Sequence, residues 1–145
     1  MAALAVALED PYQSVRQRAA RALGKMGPGA EGALSALASA ISNDNTEVRI
    51  IALNGLGAMG PASVPILIAA LQQEDAYLCC RAADALGRIG PPAAKAVPAL
   101  IAALADDARP VSHRAATALG AIGPVTQEVI PALVGALERD RWEAD

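Results

Sequence analysis

The sequence predicts an all-α fold: an α-solenoid of stacked antiparallel helix hairpins, about four repeats plus an extra helix. Three observations predict it. The segment Ala-Leu-Gly-x-(Met or Ile)-Gly-Pro recurs at Ala22–Pro28, Gly55–Pro61, Ala85–Pro91 and Ala118–Pro124, with Gly55 as its one departure. Its last glycine falls at Gly27, Gly60, Gly90 and Gly123, at intervals of 33, 30 and 33 residues. Self-similarity at a period of roughly 20–50 residues marks a repeat architecture. The chain is also 54% hydrophobic but only 2% aromatic, with no Phe. A core of Ala, Leu, Ile and Val without rings suits thin layers of closely packed helices.

Each unit holds two helical patterns. The first is clearest at Val97–Leu104, with counterparts at Val64–Leu71 and Ile130–Leu137. Pro65, Pro98 and Pro131 fall in its first turn, where a missing N–H is harmless and a fixed φ helps. Apolar residues cover nearly its whole circumference, so it has to be covered on more than one side. A polar turn with at least one acid follows: Glu9-Asp10, Asp44, Glu74-Asp75, Asp106-Asp107, Asp140. Acids here suit the N-terminus of the next helix, and Asp44-Asn45-Thr46-Glu47 has the spacing of a capping box.

The second helix is aligned by Val15, Val48, Leu78 and Val111, then Ala19, Ala52, Ala82 and Ala115, then Leu23, Leu56, Leu86 and Leu119. That is an apolar stripe at i, i+4 and i+8. Gly24, Gly57, Gly87 and Gly120 lie inside it, where Gly costs about 0.5–1 kcal/mol relative to Ala. Keeping that cost in every unit implies close backbone approach to a neighbouring helix. Gly27, Gly60, Gly90 and Gly123 suit the left-handed C′ position, with proline next to stop the helix. Between terminal glycine and first-helix proline the Gly60 unit is three residues shorter than the Gly90 and Gly123 units, so the deletion sits in the loop. Units run roughly 1–28, 29–61, 62–91 and 92–124, with a partial unit 125–145.

An acidic turn, V-R, A, L-G and then G, present here as Asp44, Val48-Arg49, Ala52, Leu56-Gly57 and Met59-Gly60, resembles the HEAT repeat. It is most like the short HEAT-like repeats first named from phycobilisome lyases. The resemblance spans the chain and implies a HEAT-like superhelix in which second helices line the concave face. On that face, off the apolar stripe, lie Gln17, Arg21 and Lys25; Ile50, Asn54 and Ala58; Cys80, Asp84 and Arg88; and His113, Thr117 and Ala121. The set varies while the core repeats, as a partner-binding face or a merely solvated face would. Gln17, Arg21, Lys25, Asn54, Asp84, Arg88, His113 and Thr117 are the candidate partner-binding residues.

Other chemistry is poorly supplied. Net charge is −3, and the cluster Arg16, Arg18, Arg21, Lys25 is not continued downstream, so no basic stripe awaits nucleic acid. No run approaches the roughly 18 apolar residues of a membrane span. Met1–Leu8 lacks a positive n-region and does not read as a signal peptide. Cys79 and Cys80 are adjacent, which fits a reduced, cytoplasmic protein; neighbouring helix residues point about 100° apart. With His113 the only histidine, no metal, catalytic or cofactor site is expected, and the pair reads as buried or half-buried thiols. The Gly-Pro segments end helices, the wrong polarity for phosphate capture. Arg18, Arg81 and Arg114 coincide, as do Arg16 and Arg49, in position to form an ion-pair ladder with acidic turns of adjacent units. Trp142 reads either as packing on the open end or as a ligand anchor.

The expected function is a non-enzymatic scaffold or adaptor holding another protein or peptide in the concave groove. The alternative that the resemblance raises is a subunit of a phycobilin lyase-like enzyme acting on a tetrapyrrole–protein conjugate. Against that stand the few aromatics and the lack of an acid–base pair. Leu8 aligns with Ile41, Leu71, Leu104 and Leu137, and Asp140–Glu143 repeats the capping-box spacing of a fifth second helix, so neither end reads as a polar cap. The expectation is a longer parent array or end-to-end self-association through uncapped terminal helices. Light scattering at high concentration should show association, or a hydrophobic dye should bind; a dye-free monomer excludes both.

Overall fold

A computed structural model describes residues 2–27, 30–43, 45–105, 109–123 and 129–142. Its helices are α1 (Ala2–Val6), α2 (Gln13–Lys25), α3 (Glu31–Ala40), α4 (Thr46–Met59), α5 (Val64–Leu71), α6 (Ala76–Ile89), α7 (Val97–Leu104), α8 (Arg109–Ile122) and α9 (Val129–Trp142). Short 3-10 turns fill Ala7–Glu9, Gly60–Ser63 and Pro91–Ala96, and no strand occurs among the described residues. The second helices α2, α4, α6 and α8 each pack on the next. The first helices fold back on them as hairpins, α3 on α4, α5 on α6 and α7 on α8, while α5, α7 and α9 follow one another in a second layer. The all-α solenoid read from the repeats is the fold that forms.

One contiguous core lies between the layers. Ala19, Ala52, Ala82 and Ala115 and Leu23, Leu56, Leu86 and Leu119 are all buried, as are Val48, Leu78 and Val111; Val15 is half-buried. From the first helices come Leu37, Leu67, Leu71, Leu100 and Leu104. The stretch Thr46–Leu71 is long and apolar enough to cross a membrane by composition. Here it is two helices parted at Gly60, with 50% of its most apolar window buried inside the fold.

The interior glycines divide three to one. A Cβ at Gly24 would stand 2.9 Å from Ala58 Cβ and 3.0 Å from the Gly55 carbonyl oxygen. At Gly57 it would meet Ala85 Cβ at 3.2 Å, and at Gly87 it would meet Ala118 Cα at 3.2 Å. These three admit the close approach of α2 to α4, α4 to α6 and α6 to α8. Gly120 meets nothing within 4 Å among the described residues, so close approach does not explain it.

The helix-stopping glycines differ from the expected left-handed cap. All four have positive φ, between 71° and 94°. At Gly60 and Gly90, however, ψ is −144°. The proline that follows explains this: its Cδ clashes with a helical ψ on the preceding residue and forces it extended. Positive φ with extended ψ is open essentially to glycine alone. Pro28 and Pro124 lie outside the described residues.

Helix starts also depart from expectation in detail. At α4 the cap is Asn45, whose Oδ1 accepts from Glu47 N–H at 2.9 Å, rather than Asp44, which lies outside the described residues. With the helix starting at Thr46, Glu47 stands one position too early to reach back as a capping-box partner. Asp75 caps α6 as expected, accepting from Tyr77 N–H at 2.9 Å and Leu78 N–H at 3.2 Å. Before α2, Asp10 instead accepts from Tyr12 N–H at 2.8 Å, closing a turn rather than a helix cap. Asp106 and Asp107 lie outside the described residues.

The three-residue difference is in the connection. Gly60–Ser63 is a single 3-10 turn leading into α5, pinned by the buried Ser63 hydroxyl donating to the Gly60 carbonyl at 2.7 Å, whereas Pro91–Ala96 is longer. At the other end α9 runs unbroken through Asp140 to Trp142, so no separate fifth second helix begins at Asp140. Glu138, Arg139 and Arg141 are good helix formers, and no Gly, Pro or Asn interrupts them. The side chains of Asp140 and Trp142 lie outside what the structure describes. On α9, Ile130 is 65% exposed, where its repeat equivalent Val97 is 2% exposed.

Gly24→Ala is expected to destabilise the fold by about 1–3 kcal/mol through overpacking, and Gly120→Ala to stabilise it by about 0.5 kcal/mol through helix propensity. Chemical denaturation of the two variants checks the contrast; equal effects would remove the close-packing account.

Candidate partner-binding face

Residues at i, i+4 and i+8 on a helix share one face. The four triplets read from the sequence therefore project from α2, α4, α6 and α8 away from the first-helix layer. Gln17, Arg21, Lys25, Asn54, Arg88, His113 and Thr117 are exposed, with Ala58 and Ala121; Asp84, Ile50 and Cys80 are half-buried. All eight candidate residues are thus solvent-accessible, and all but His113 line one of two grooves between neighbouring helices.

The larger groove, about 760 Å³, runs between α2 and α4. Gln17, Arg21 and Lys25 form one wall and Ile50, Asn54 and Ala58 the other, over a floor that includes Ala20 and Gly55. The smaller, about 330 Å³, lies between α6 and α8, with Asp84, Arg88, Thr117 and Ala121 around Gly87 and Ala118. His113 lines neither of these grooves. Between α4 and α6 the Arg88 guanidinium lies across Gly57 and donates to Asn54 Oδ1 at 3.3 Å, bridging the two helices.

Charge differs along the face. Asp84 sits between two cations, 3.2 Å from Arg114 and 3.8 Å from Arg81. Arg81 also donates to the Tyr77 hydroxyl at 3.0 Å and lies 5.1 Å over that ring. The hydrogen bond to Tyr77 raises Arg81 above its ordinary pKa, outweighing the desolvation that lowers it, with Asp84 adding a lesser rise, so it stays cationic at any working pH. Asp84 is therefore committed to ion pairs and is not placed as a general base. Among the described residues no cluster of three His, Cys, Asp or Glu side chains could hold a metal ion.

Residues 1–79 and again 64–144 match the sequence family of HEAT repeats. The chain belongs to the HEAT-repeat family. No curated protein matches its sequence. Among solved structures it is similar to the complex of CpcE and CpcF of phycocyanin lyase from Nostoc sp. PCC7120, at 26% identity and TM-score 0.63 over 92% of this chain and 62% of that one. An engineered protein, 25% identical, matches with TM-score 0.57 over 92% of this chain and 66% of its own. A designed armadillo repeat protein, 20% identical, shares the fold with TM-score 0.56 over 92% of this chain and 68% of its own. The chain thus spans less than two thirds of the length of the lyase-complex chain.

The HEAT units also share an interaction at the rim of this face. Arg16, 7% exposed, donates through Nη1 to the carbonyls of Asp10, at 2.7 Å, and Pro11, at 3.0 Å, and pairs through Nη2 with Glu47 of the next unit. Arg49 repeats this, donating to the Asn43 carbonyl at 3.1 Å and to Asp75 at 3.1 Å. The expected ladder to adjacent acidic turns therefore exists at Arg16 and Arg49. Arg81 and Arg114 instead meet at Asp84, and Arg18 is exposed. In the third unit Cys79 holds the arginine position, with its thiol 3.1 Å from the Gln73 carbonyl, six residues back as in the other two. Cys79 is buried and Cys80 half-buried, both as thiols rather than in a disulfide, as the sequence reading had them.

Glu47 Oε1 and Arg16 Nε are buried without hydrogen-bond partners, so the pair is imperfect and its net contribution small. Removing one partner is a different matter, because it strands a carboxylate and two turn carbonyls. Arg16→Met should lower stability by about 1–3 kcal/mol, while Arg18→Met should stay within about 0.5 kcal/mol. Thermal and denaturant unfolding of both variants check the difference.

Proposed function

We propose that this HEAT-repeat chain is a non-enzymatic scaffold or adaptor that holds a protein or peptide partner on the face made by α2, α4, α6 and α8. One observation carries the reading: the face that has the two grooves is lined by outward side chains that differ from unit to unit, while the leucines and alanines beneath it repeat. A face freed from the packing rules of the array can specialise for a partner without cost to the fold.

The phycocyanin-lyase similarity favours a second reading, a lyase-like subunit acting on a tetrapyrrole–protein conjugate. The grooves supply little for it. Tyr12 and Tyr77 line neither of them, and Asp84, the one acid of the candidate stripe, is held by Arg81 and Arg114. The lyase similarity also supports the first reading, since that structure is a complex of two proteins.

A photo-crosslinking residue at position 54 or 117 should give protein adducts in a native extract, and one at exposed Ala69 or Ala102 on the first helices should not. Arg21→Glu with Arg88→Glu should weaken the adducts without lowering the thermal midpoint. Equal adducts from both faces would exclude the proposed surface, and a shift in bilin absorbance on mixing would favour the lyase-like reading.

A further inference from the structure

The groove between α2 and α4 has a charge of its own. α2 carries Arg16, Arg18, Arg21 and Lys25 and no acid, in a chain of net charge −3. Glu47, the one carboxylate among the residues lining the groove, is already paired with Arg16. Arg21 and Lys25 are left exposed on the wall, with no ion-pair partner among the described residues. Facing them are an amide, Asn54, and aliphatic surface from Ile50 and Ala58, over a floor where Ala20 and Gly55 leave depth. The groove between α6 and α8 has one cation on its wall rather than two: Arg88 is held by Asn54, and the one carboxylate, Asp84, is matched by Arg81 and Arg114.

We infer that the α2–α4 groove is the principal docking site and that its occupant is a peptide segment of a partner protein combining aliphatic and acidic side chains. The inference rests on the scaffold reading and names the partner chemistry of that same face. Aliphatic groups would remove Ile50 and Ala58 from water, a gain proportional to the area covered. Carboxylates would meet Arg21, whose planar fork matches them in a bidentate pair, and Lys25 as a point charge. Nucleic acid fits the groove less well. Its backbone asks for a continued run of cations, and the positions on α4 that correspond to Gln17, Arg21 and Lys25 are Ile50, Asn54 and Ala58. An apolar floor gives a phosphate backbone nothing to bind.

The test uses the full chain and fluorescence anisotropy with a labelled synthetic peptide about 14 residues long, enough to follow α2. The peptide is built from Leu, Ala and Glu, with counterparts in which Glu becomes Gln or Leu becomes Ala; an unlabelled thymidine oligonucleotide is the competitor. The Leu–Glu peptide is expected to bind with an affinity that falls as salt rises, and both counterparts at least about tenfold more weakly. Arg21→Gln with Lys25→Gln should weaken it about tenfold, with an unchanged thermal midpoint showing that the fold is intact; Ala102→Trp, exposed on α7, should leave it unchanged, and Thr117→Trp in the α6–α8 groove should weaken it less than the α2 substitutions do. Equal binding of the Gln counterpart, indifference to the α2 substitutions, stronger competition by the oligonucleotide, or no binding of any peptide overturns the inference. Loss of binding on Thr117→Trp alone would overturn the α2–α4 assignment while leaving the scaffold reading in place.

Discussion

The structure depends on how closely consecutive second helices approach one another. Gly24, Gly57 and Gly87 stand where a single added carbon would fall 2.9–3.2 Å from Ala58, Ala85 or Ala118. The core beside these contacts is built of aliphatic and small side chains, in a chain that is 54% hydrophobic and has no Phe. Each glycine weakens its own helix by about 0.5–1 kcal/mol, and the packing it admits offsets that loss. Because every second helix touches the next in the same way, the contact also orients the outward stripe of each one toward a common face.

Most of the fold was legible because the chain states each structural requirement several times. A leucine that recurs at Leu23, Leu56, Leu86 and Leu119 reports burial more reliably than any one of them could. Legibility failed where a detail occurs once or depends on three dimensions. Asp44 and Asn45 are both good caps, and their order along the chain does not reveal which one the helix selects. The end of α9 rests on the helix propensity of Glu138, Arg139 and Arg141 outweighing a capping-box spacing. Cys79 reads from the sequence as a buried or half-buried thiol and is buried, but its part as the stand-in for Arg16 and Arg49 appears only through the carbonyl six residues back that all three approach. That shared register was the available signal.

For the candidate face, the solvent access of all eight residues, seven exposed and Asp84 half-buried, followed from their place off the apolar stripe, but the grooves did not. Depth is a property of pairs of helices. Small residues opposite one another, Ala20 with Gly55 or Gly87 with Ala118, line a groove where they meet. One long side chain, Arg88, bridges the same space between α4 and α6. The face is thus a row of unequal compartments on a regular scaffold, with Arg21 and Lys25 at one end and the Arg81–Asp84–Arg114 ion pairs at the other. Regularity in the core and irregularity on the face come from the same chain because different helical positions serve them.

The glycines that stop the second helices carry a consequence for handedness. Inverting both signs of the Gly60 and Gly90 torsions, φ near 71° and ψ of −144°, gives the extended conformation that an ordinary L-residue adopts before proline. At each of these turns one residue takes the mirror image of an ordinary pre-proline conformation. Glycine is accepted there because it is achiral, and an L-alanine would be strained. A D-alanine would adopt these torsions without that strain, while restricting the unfolded chain. A right-handed helical array is therefore interrupted at these turns by single residues of opposite hand, and proline is what sets them.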